Sequence, residues 1–324
     1  MSIYKSYWTS NTDVLADLSY AVGTWSSVQQ KGSAPSHERL DFMAANIGRQ
    51  SQQQGKVKSW TCPFCGTKYA HVKNRLASLP LTNCMKCGIE NDVDFNFILP
   101  DHRLNGIDIS IPVMNQESTP YCTLYSTIAS SILSRKVSGA ADSRFLPGTL
   151  SLCDMLQKYE KLTESKFGFE DYRDLTRVYN LHSILKTDGV AYKSESIFQS
   201  IINPDKRVFK IEDFWEVDKS DFGYIARLLA SGFPLVTGMV PGKHFQGGSA
   251  YDAYNPPSKR RLREAGKSNV GHAVVLIGAG RQRGVKYFWL LNSWGEEFGD
   301  KGRMRIVVGG ILSNPIGMTV ESYL

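Results

Sequence analysis

Three side chains that could perform covalent catalysis follow one another along this chain: Cys122, His272 and Asn292. A cysteine attacks as its thiolate, an imidazole can take up a proton and return it, and an amide oxygen can orient the imidazole ring. The amide of Gln116 stands six residues (122 − 116) before the thiol. Together these groups predict nucleophilic catalysis through a cysteine, provided that the fold brings the distant segments together.

Four other cysteines form two CxxC pairs, Cys62 with Cys65 and Cys84 with Cys87. The 18 residues between the pairs (84 − 65 − 1) lie within the range typical of a four-cysteine zinc site. Four thiolates complete a tetrahedron and leave no open position, so the expected Zn²⁺ is structural. Two unconnected CxxC turns, or redox pairs, are the alternatives. Residues 59–90 resemble a zinc ribbon.

The elements around the thiol can be read from hydrophobic spacing. Residues 107–111 alternate apolar and polar side chains, as a half-buried strand does. From Cys122 onward, Leu124, Ile128 and Ile132 have helical spacing, and Pro120 suits the start of a helix. The sequence therefore predicts that Cys122 lies at a helix N-terminus, where the positive end of the helix dipole favours a thiolate.

Further elements are predicted on either side. Helices are expected over 150–156 and 221–230, and strands over 272–277, 285–291 and 303–308. We expect three parts: an N-terminal extension over 1–58, partly helical or disordered, a zinc-ribbon-like module with a linker over 59–104, and a catalytic domain over 105–324.

The composition indicates a globular protein of 324 residues with a formal charge of +7. No apolar run is long enough for a transmembrane helix, and the first residues lack the pattern of a secretory signal. Free thiols beside a metal site favour a reducing compartment, so a cytoplasmic location is expected, with the nucleus as alternative. The basic run over 256–263 fits a nuclear-import signal, although a solvated loop is the favoured interpretation.

Residues 105–324 resemble the papain-like cysteine peptidases. The resemblance rests on three motifs in the family's order: 112–116 followed by Cys122, the segment 271–274 around His272, and Asn292 to Gly295 followed by 299–302. It implies an α+β fold with two subdomains, a helical left half and a β-barrel-like right half, here preceded by the small zinc ribbon.

The resemblance also implies a role for each residue. Cys122 would be the nucleophile, His272 the acid and base, and Asn292 the group that orients the imidazole. The Gln116 amide and the Cys122 backbone N–H would form the oxyanion hole, and Trp294 would shield the His272–Asn292 contact from water. The expected function is that of an intracellular cysteine-type peptidase acting on a polypeptide substrate.

The chain departs from the family beside the nucleophile. Thr119 stands where the family usually has a disulfide-bonded cysteine, and Pro120 and Tyr121 replace small residues. The alternative function is therefore a weakly active or inactive binding or regulatory protein, whose ribbon contacts protein or nucleic acid. Acyl transfer to an amine is a third possibility for the same thioester chemistry, and no membrane partner is expected.

Overall fold

The structure is a computed structural model that describes most of the chain from residue 59 onward. The described residues are 34, 59–70, 72–73, 78–79, 83–84, 86–104, 106–142, 149–168, 175–193, 208–242, 245, 253–256, 271–309 and 312–320. The extension expected over 1–58 lies outside these residues, except Ala34. Of the basic run over 256–263, only Pro256 is among the described residues.

Short strands form the N-terminal module. Strands β1 (Ser59–Thr61) and β2 (Lys68–Ala70) pair antiparallel, and β3 (Val72–Lys73) pairs with β4 (Ser78–Leu79). The two CxxC turns have the same hydrogen bonds: the N–H of Gly66 bonds to the carbonyl of Cys62, and that of Gly88 to Cys84. Both glycines have positive φ, +68° and +74°, which explains the glycine after each CxxC.

The chain then enters the larger body through three strands and a 3-10 turn. Strand β5 (Phe95–Ile98) is followed by the turn Leu99–Asp101, and β6 (Arg103–Leu104) pairs with β7 (Ile107–Asp108). The alternation over 107–111 had predicted a longer strand. Its first two residues form β7, while Ile109 and Ile111 lie outside any strand and contribute apolar contacts.

Four helices follow among the described residues, together with one short pair of strands. They are α1 (Cys122–Asp142), α2 (Leu152–Thr163), α3 (Thr176–Thr187) and α4 (Phe222–Ala230). Strands β8 (Val190–Ala191) and β9 (Val208–Phe209) pair between α3 and α4. The side chains of Ser151 and Asp221 cap α2 and α4 by accepting backbone N–H groups, as N-cap residues do. The helices predicted at these places are confirmed.

The remaining described strands form, together with β5, one sheet of seven strands. They are β10 (Ile211–Glu216), β11 (Leu235–Met239), β12 (His272–Gln282), β13 (Val285–Leu291), β14 (Arg303–Val307) and β15 (Ile316–Val320). Their order is β10-β15-β11-β12-β13-β14, and β5 pairs with the distal half of β12. The three strands predicted over 272–308 are confirmed, and β12 extends five residues beyond the predicted end at 277 (282 − 277).

The sheet is open among the described strands. A barrel requires its end strands to hydrogen-bond to each other, and β10 and β14 do not pair. The β-barrel-like right half expected from the resemblance is therefore replaced by an open, mixed arrangement of helix and sheet. Helix α1 packs between this sheet and helices α2 and α3. Its residues Leu124, Ile128 and Ile132 lie in one apolar cluster, and Ala129, Leu133 and Val137 lie in another.

None of the described helices combines the length and the apolar character needed to span a bilayer.

Candidate active site

Cys122 is the first residue of α1, as the spacing of apolar residues predicted. Its thiol is free and half-buried. The residue before Cys122 already takes part in the helical hydrogen bonding, since the N–H of Tyr125 donates to the carbonyl of Tyr121. The thiol lies at the N-terminus of this helix. The first N–H groups of a helix have no partner within it, so they stabilise a negative charge there.

The pKa of Cys122 is lowered from its ordinary value near 9.0. Burial acts to raise this pKa, but a hydrogen bond with His272 and the charge of that ring act in the opposite direction. The backbone N–H of Ala273 and the hydroxyl of Thr123 lower it further. Since the lowering effects outweigh desolvation, the site favours the thiolate form of Cys122.

His272 and Asn292 meet because β12 and β13 are neighbours in the sheet. His272 opens β12 and Asn292 directly follows β13, and Val275 pairs with Leu291 across these strands. Nε2 of His272 donates to Oδ1 of Asn292 over 2.6 Å, with the side chains 5% and 3% exposed. The backbone N–H of Ser293 donates to the same oxygen over 2.8 Å, which fixes the orientation of the amide.

Aromatic rings cover the imidazole. Trp294 lies 4.6 Å from the His272 ring between centroids, and Phe245 stands edge-on to both rings at 5.5 and 6.1 Å. Phe298 packs against Trp294 at 5.3 Å. The arrangement agrees with the shielding role expected for Trp294. Phe245 is fully buried. The sequence did not predict it as a site residue, because it lies in a segment without periodic apolar residues.

The loop that carries Gln116 is fastened to the turn after Asn292. The N–H of Gln116 bonds to the Ser293 carbonyl over 2.7 Å, and the N–H of Gly295 to the Met114 carbonyl over 3.0 Å. Gly302 approaches so closely that a Cβ there would lie 2.3 Å from Val113. These contacts bring the oxyanion-hole candidate to the histidine–asparagine pair, although the two segments are remote in sequence.

The Gln116 side chain is held at both ends. Ser293 Oγ donates to its Oε1 over 2.5 Å, and its Nε2 donates to the Thr119 carbonyl over 2.7 Å. A carboxamide nitrogen carries two hydrogens, so the second hydrogen is the one that can reach a substrate oxyanion. Ser293 was not predicted as a site residue, although its place directly after Asn292 was a signal.

The segment between Gln116 and Cys122 is closed by hydrogen bonds where the family usually has a disulfide. The N–H and the hydroxyl of Thr119 both donate to the Gln116 carbonyl, over 3.1 and 2.6 Å. Tyr121 packs edge-on against Phe167 at 5.3 Å, and the Arg177 guanidinium lies 4.0 Å from the Phe167 ring centre. Thr119 and Tyr121 therefore have defined contacts, and the catalytic groups still come together.

The four CxxC cysteines form a second centre. Their sulfur atoms all lie within 4.8 Å of one another, with 3.5 Å from Cys62 to Cys87 and from Cys65 to Cys84. Sulfurs bound tetrahedrally to Zn²⁺ lie roughly 3.8 Å apart, given bonds of about 2.3 Å. The arrangement is thus compatible with a metal ion. The ring of Trp60 stacks on Tyr69 beside it, at 5.8 Å.

The cysteine module is joined to the catalytic sheet by ion pairs as well as by β5. Glu90, three residues after Cys87, contacts Arg281 over 3.1 Å and Lys286 over 3.0 Å. The Asp94 carboxylate accepts the backbone N–H of Arg283. All three partners belong to the β12–β13 hairpin, so the module contacts the end of β12 that lies opposite His272.

Comparisons with known proteins agree with this geometry. Residues 180–322 match the model of the papain family cysteine proteases. A stretch of 45 residues is 42% identical to cathepsin B-like cysteine proteinase 3 of Ostertagia ostertagi, and covers 14% of this chain and 26% of that protein. Pro-cathepsin H of Mus musculus is 23% identical over 321 residues, which cover 93% of this chain and 91% of the relative.

This chain spans only 11 to 26% of the length of three curated relatives that it matches over short stretches. Among solved structures, the digestive procathepsin L2 proteinase from the Tenebrio molitor larval midgut has a TM-score of 0.52 at 17% identity. The match covers 72% of this chain and 71% of that protein. The likeness shows that the chain has a papain-like fold.

Proposed function

We propose that this chain, which carries a papain-family cysteine protease domain, hydrolyses peptide bonds through a thioester on Cys122. The observation that carries the proposal is the hydrogen bond from His272 to Asn292, which leaves the other ring nitrogen for the Cys122 thiol. A thiol activated by an imidazole that a third group orients is the arrangement expected of a nucleophilic enzyme.

In the first half of the proposed reaction, the Cys122 thiolate attacks the carbonyl carbon of the scissile peptide bond. The oxygen of the tetrahedral intermediate accepts hydrogen bonds from the Gln116 amide and the Cys122 N–H, a contribution of about 3–4 kcal/mol per donor. The intermediate then collapses: the C–N bond breaks, and the His272 imidazolium gives its proton to the departing amine. The acyl group remains on the sulfur.

In the second half, neutral His272 takes a proton from water as the water oxygen attacks the thioester carbon. The C–S bond breaks and the acid product leaves, which restores the thiolate and the imidazolium. Asn292 keeps the ring in one orientation throughout, and Trp294 keeps water from the buried His272–Asn292 hydrogen bond. The substrate class that this chemistry implies is a polypeptide.

Labelling with a peptidyl electrophile that reacts with thiols tests the proposal. We expect stoichiometric labelling of the folded wild type and none of Cys122→Ala. Cys153→Ala is the matched control, because Cys153 is an exposed free thiol outside both sites and its loss should leave the labelling unchanged. Labelling that does not depend on Cys122 would contradict the proposed function.

A second candidate function is that of a binding or regulatory protein with little turnover. It is favoured by the exposed tip of the cysteine module, where Phe64 is 77% exposed between Cys62 and Cys65. A protein or a nucleic acid is the partner expected for such a tip. Cys122-dependent labelling without release of product from any peptide library would favour this function over hydrolysis.

We also propose that Cys62, Cys65, Cys84 and Cys87 bind a structural Zn²⁺. The short sulfur–sulfur distances support this, and four thiolates leave no position for a reacting water. Metal analysis of the purified protein should give about one equivalent of zinc. A zinc content below about half an equivalent would count against the site.

For the location, we propose a reducing compartment of the cell, the cytoplasm, with the nucleus as alternative. All six cysteines are free thiols, and a zinc site of thiolates is maintained where thiols stay reduced. Fractionation of the source cells, followed by detection of the protein, tests the proposal. Recovery of the protein in the secreted fraction would contradict it.

A further inference from the structure

Helix α1 carries a row of buried hydroxyl groups just after the nucleophile. Ser126, Thr127, Ser130 and Ser131 are at most 3% exposed. Thr127 and Ser131 bond back to carbonyls four residues earlier in the same helix, each over 2.8 Å. Ser126 and Ser130 instead donate to other segments, to the Ala273 carbonyl over 2.9 Å and to the Pro234 carbonyl over 3.3 Å.

The partner of Ser126 is the residue next to the catalytic histidine. Ala273 is engaged on both sides of its backbone: its N–H bonds to the Cys122 sulfur, and its carbonyl accepts from Ser126 Oγ. Cys122 and Ser126 are four residues apart and therefore lie on the same face of α1. The helix thus holds β12 at two points, one turn apart and immediately beside His272.

We propose that Ser126 is a positioning residue, which sets the distance between the Cys122 thiol and the His272 ring by fastening α1 to Ala273. The inference rests on the proposed function and extends it. The two groups lie on separate elements, a helix and a strand, so their distance depends on how these elements are fastened. The Ser126–Ala273 hydrogen bond is buried, close to the reacting atoms and directed across that junction.

Loss of the Ser126 hydroxyl leaves the Ala273 carbonyl buried without this donor, and the strand can then shift relative to the helix. A shift of about 1 Å in a reacting pair can lower a rate by about 100-fold. A longer distance between Cys122 and His272 also weakens the thiolate–imidazolium pair. We therefore expect Ser126→Ala to lower kcat/KM for a peptide amide by about 10- to 100-fold and to move the alkylation profile of Cys122 to higher pH.

The test compares Ser126→Ala with Ser130→Ala in the full chain carrying Cys153→Ala. Both substitutions remove a buried hydroxyl of α1 that bonds to another segment, but Pro234 is not adjacent to His272. The rate of Cys122 alkylation by iodoacetamide is measured against pH, with thermal unfolding recorded for each variant. We expect both variants to lose some stability and only Ser126→Ala to raise the pH midpoint.

An unchanged midpoint in folded Ser126→Ala would overturn the proposal, as would an equal rise in Ser130→Ala. If Ser126→Ala does not fold, Ser126→Thr keeps the hydroxyl and should retain the wild-type midpoint; a raised midpoint would then count against the inference. Alkylation does not require turnover. A wild type that fails to hydrolyse peptides would contradict the proposed function, whereas the Ser126 comparison would still decide the positioning role.

Discussion

The Cys122 thiol is subject to two opposing effects, and their balance predicts a pH dependence. Burial raises its pKa, while the hydrogen bond and charge of His272 lower it, with a net lowering from 9.0. Because the pKa of Cys122 is lowered in the folded protein, its thiolate persists at pH values below the pKa of a free cysteine thiol. The midpoint of iodoacetamide alkylation against pH should therefore lie below 9 in the wild type.

His272→Ala removes the main effect that lowers this pKa but leaves the burial that raises it. We expect the alkylation midpoint to move upward by at least about one pH unit, since a neighbouring charge shifts a pKa by roughly 1–3 units. Cys153→Ala in both proteins removes the alkylation background from the exposed Cys153 thiol. A midpoint that is the same with and without the imidazole would show that the pair does not form.

The Gln116 amide offers a second prediction for single residues. Ser293→Ala removes the donor to Oε1 and lets the amide turn away from the oxyanion, so we expect kcat to fall about 10-fold with little change in KM. Gln116→Ala removes the donor itself and should lower kcat by about 100- to 1000-fold.

Steady-state kinetics of the wild type, the two single variants and the double variant form a double-mutant cycle, which measures the coupling between Ser293 and Gln116. If Ser293 acts through Gln116, Ser293→Ala should have almost no further effect once Gln116 is replaced. An additive loss of kcat in the double variant would show that Ser293 acts by another route.

Among the described secondary-structure elements, β5 and β12 approach each other closely at Gly278. A Cβ at Gly278 would lie 2.3 Å from the Phe97 carbonyl oxygen and 3.0 Å from the Ile98 Cα, both backbone atoms of β5. Gly278→Ala must therefore push the strands apart, and we expect a loss of roughly 1–3 kcal/mol in the free energy of unfolding. Denaturant unfolding measures this loss.

Gly168→Ala is the matched control, because a Cβ at Gly168 meets no atom within 4 Å and its φ is not positive. Its free energy of unfolding should stay within about 0.5 kcal/mol of the wild-type value. Equal stability of the two alanine variants would mean that β5 does not lie against β12 in solution.

Local patterns predicted the elements well and their contacts poorly. Strand β13 has the bounds that its run of β-branched and aromatic residues indicates, and Asp221 caps α4 at the predicted start. Cys122, His272 and Asn292 could be found because each lies in a short, specific motif. The positions of Phe245 and β5 could not, because they depend on pairing between remote segments, which no local period encodes.

In the whole molecule, the cysteine module and the catalytic domain share one sheet. Residues 95–98, expected in a linker, form β5 beside the strand that begins with His272, and Glu90 adds two ion pairs to the same hairpin. If the four cysteines bind zinc, the energy of metal binding also stabilises β5, because a metal site of this kind folds with its metal.

Cys84→Ser should therefore lower both the zinc content and the stability of the catalytic domain. We expect a loss of about 2 kcal/mol, or roughly 4–8 °C in Tm. Cys153→Ser replaces a cysteine outside the module and should leave both quantities unchanged. Metal analysis and calorimetry measure the two effects. Loss of zinc without a change in Tm would contradict a shared folding unit.

The pairing of β5 with β12 also bears on solubility. A polypeptide that spans only 105–324 would leave the backbone N–H and C=O groups of Gly278 to Arg281 without the strand that covers them here. An uncovered edge of this kind recruits strands from other copies. Size-exclusion chromatography should therefore find 105–324 in self-associated species and 59–324 as a single smaller one, so that β5 protects the catalytic sheet against aggregation.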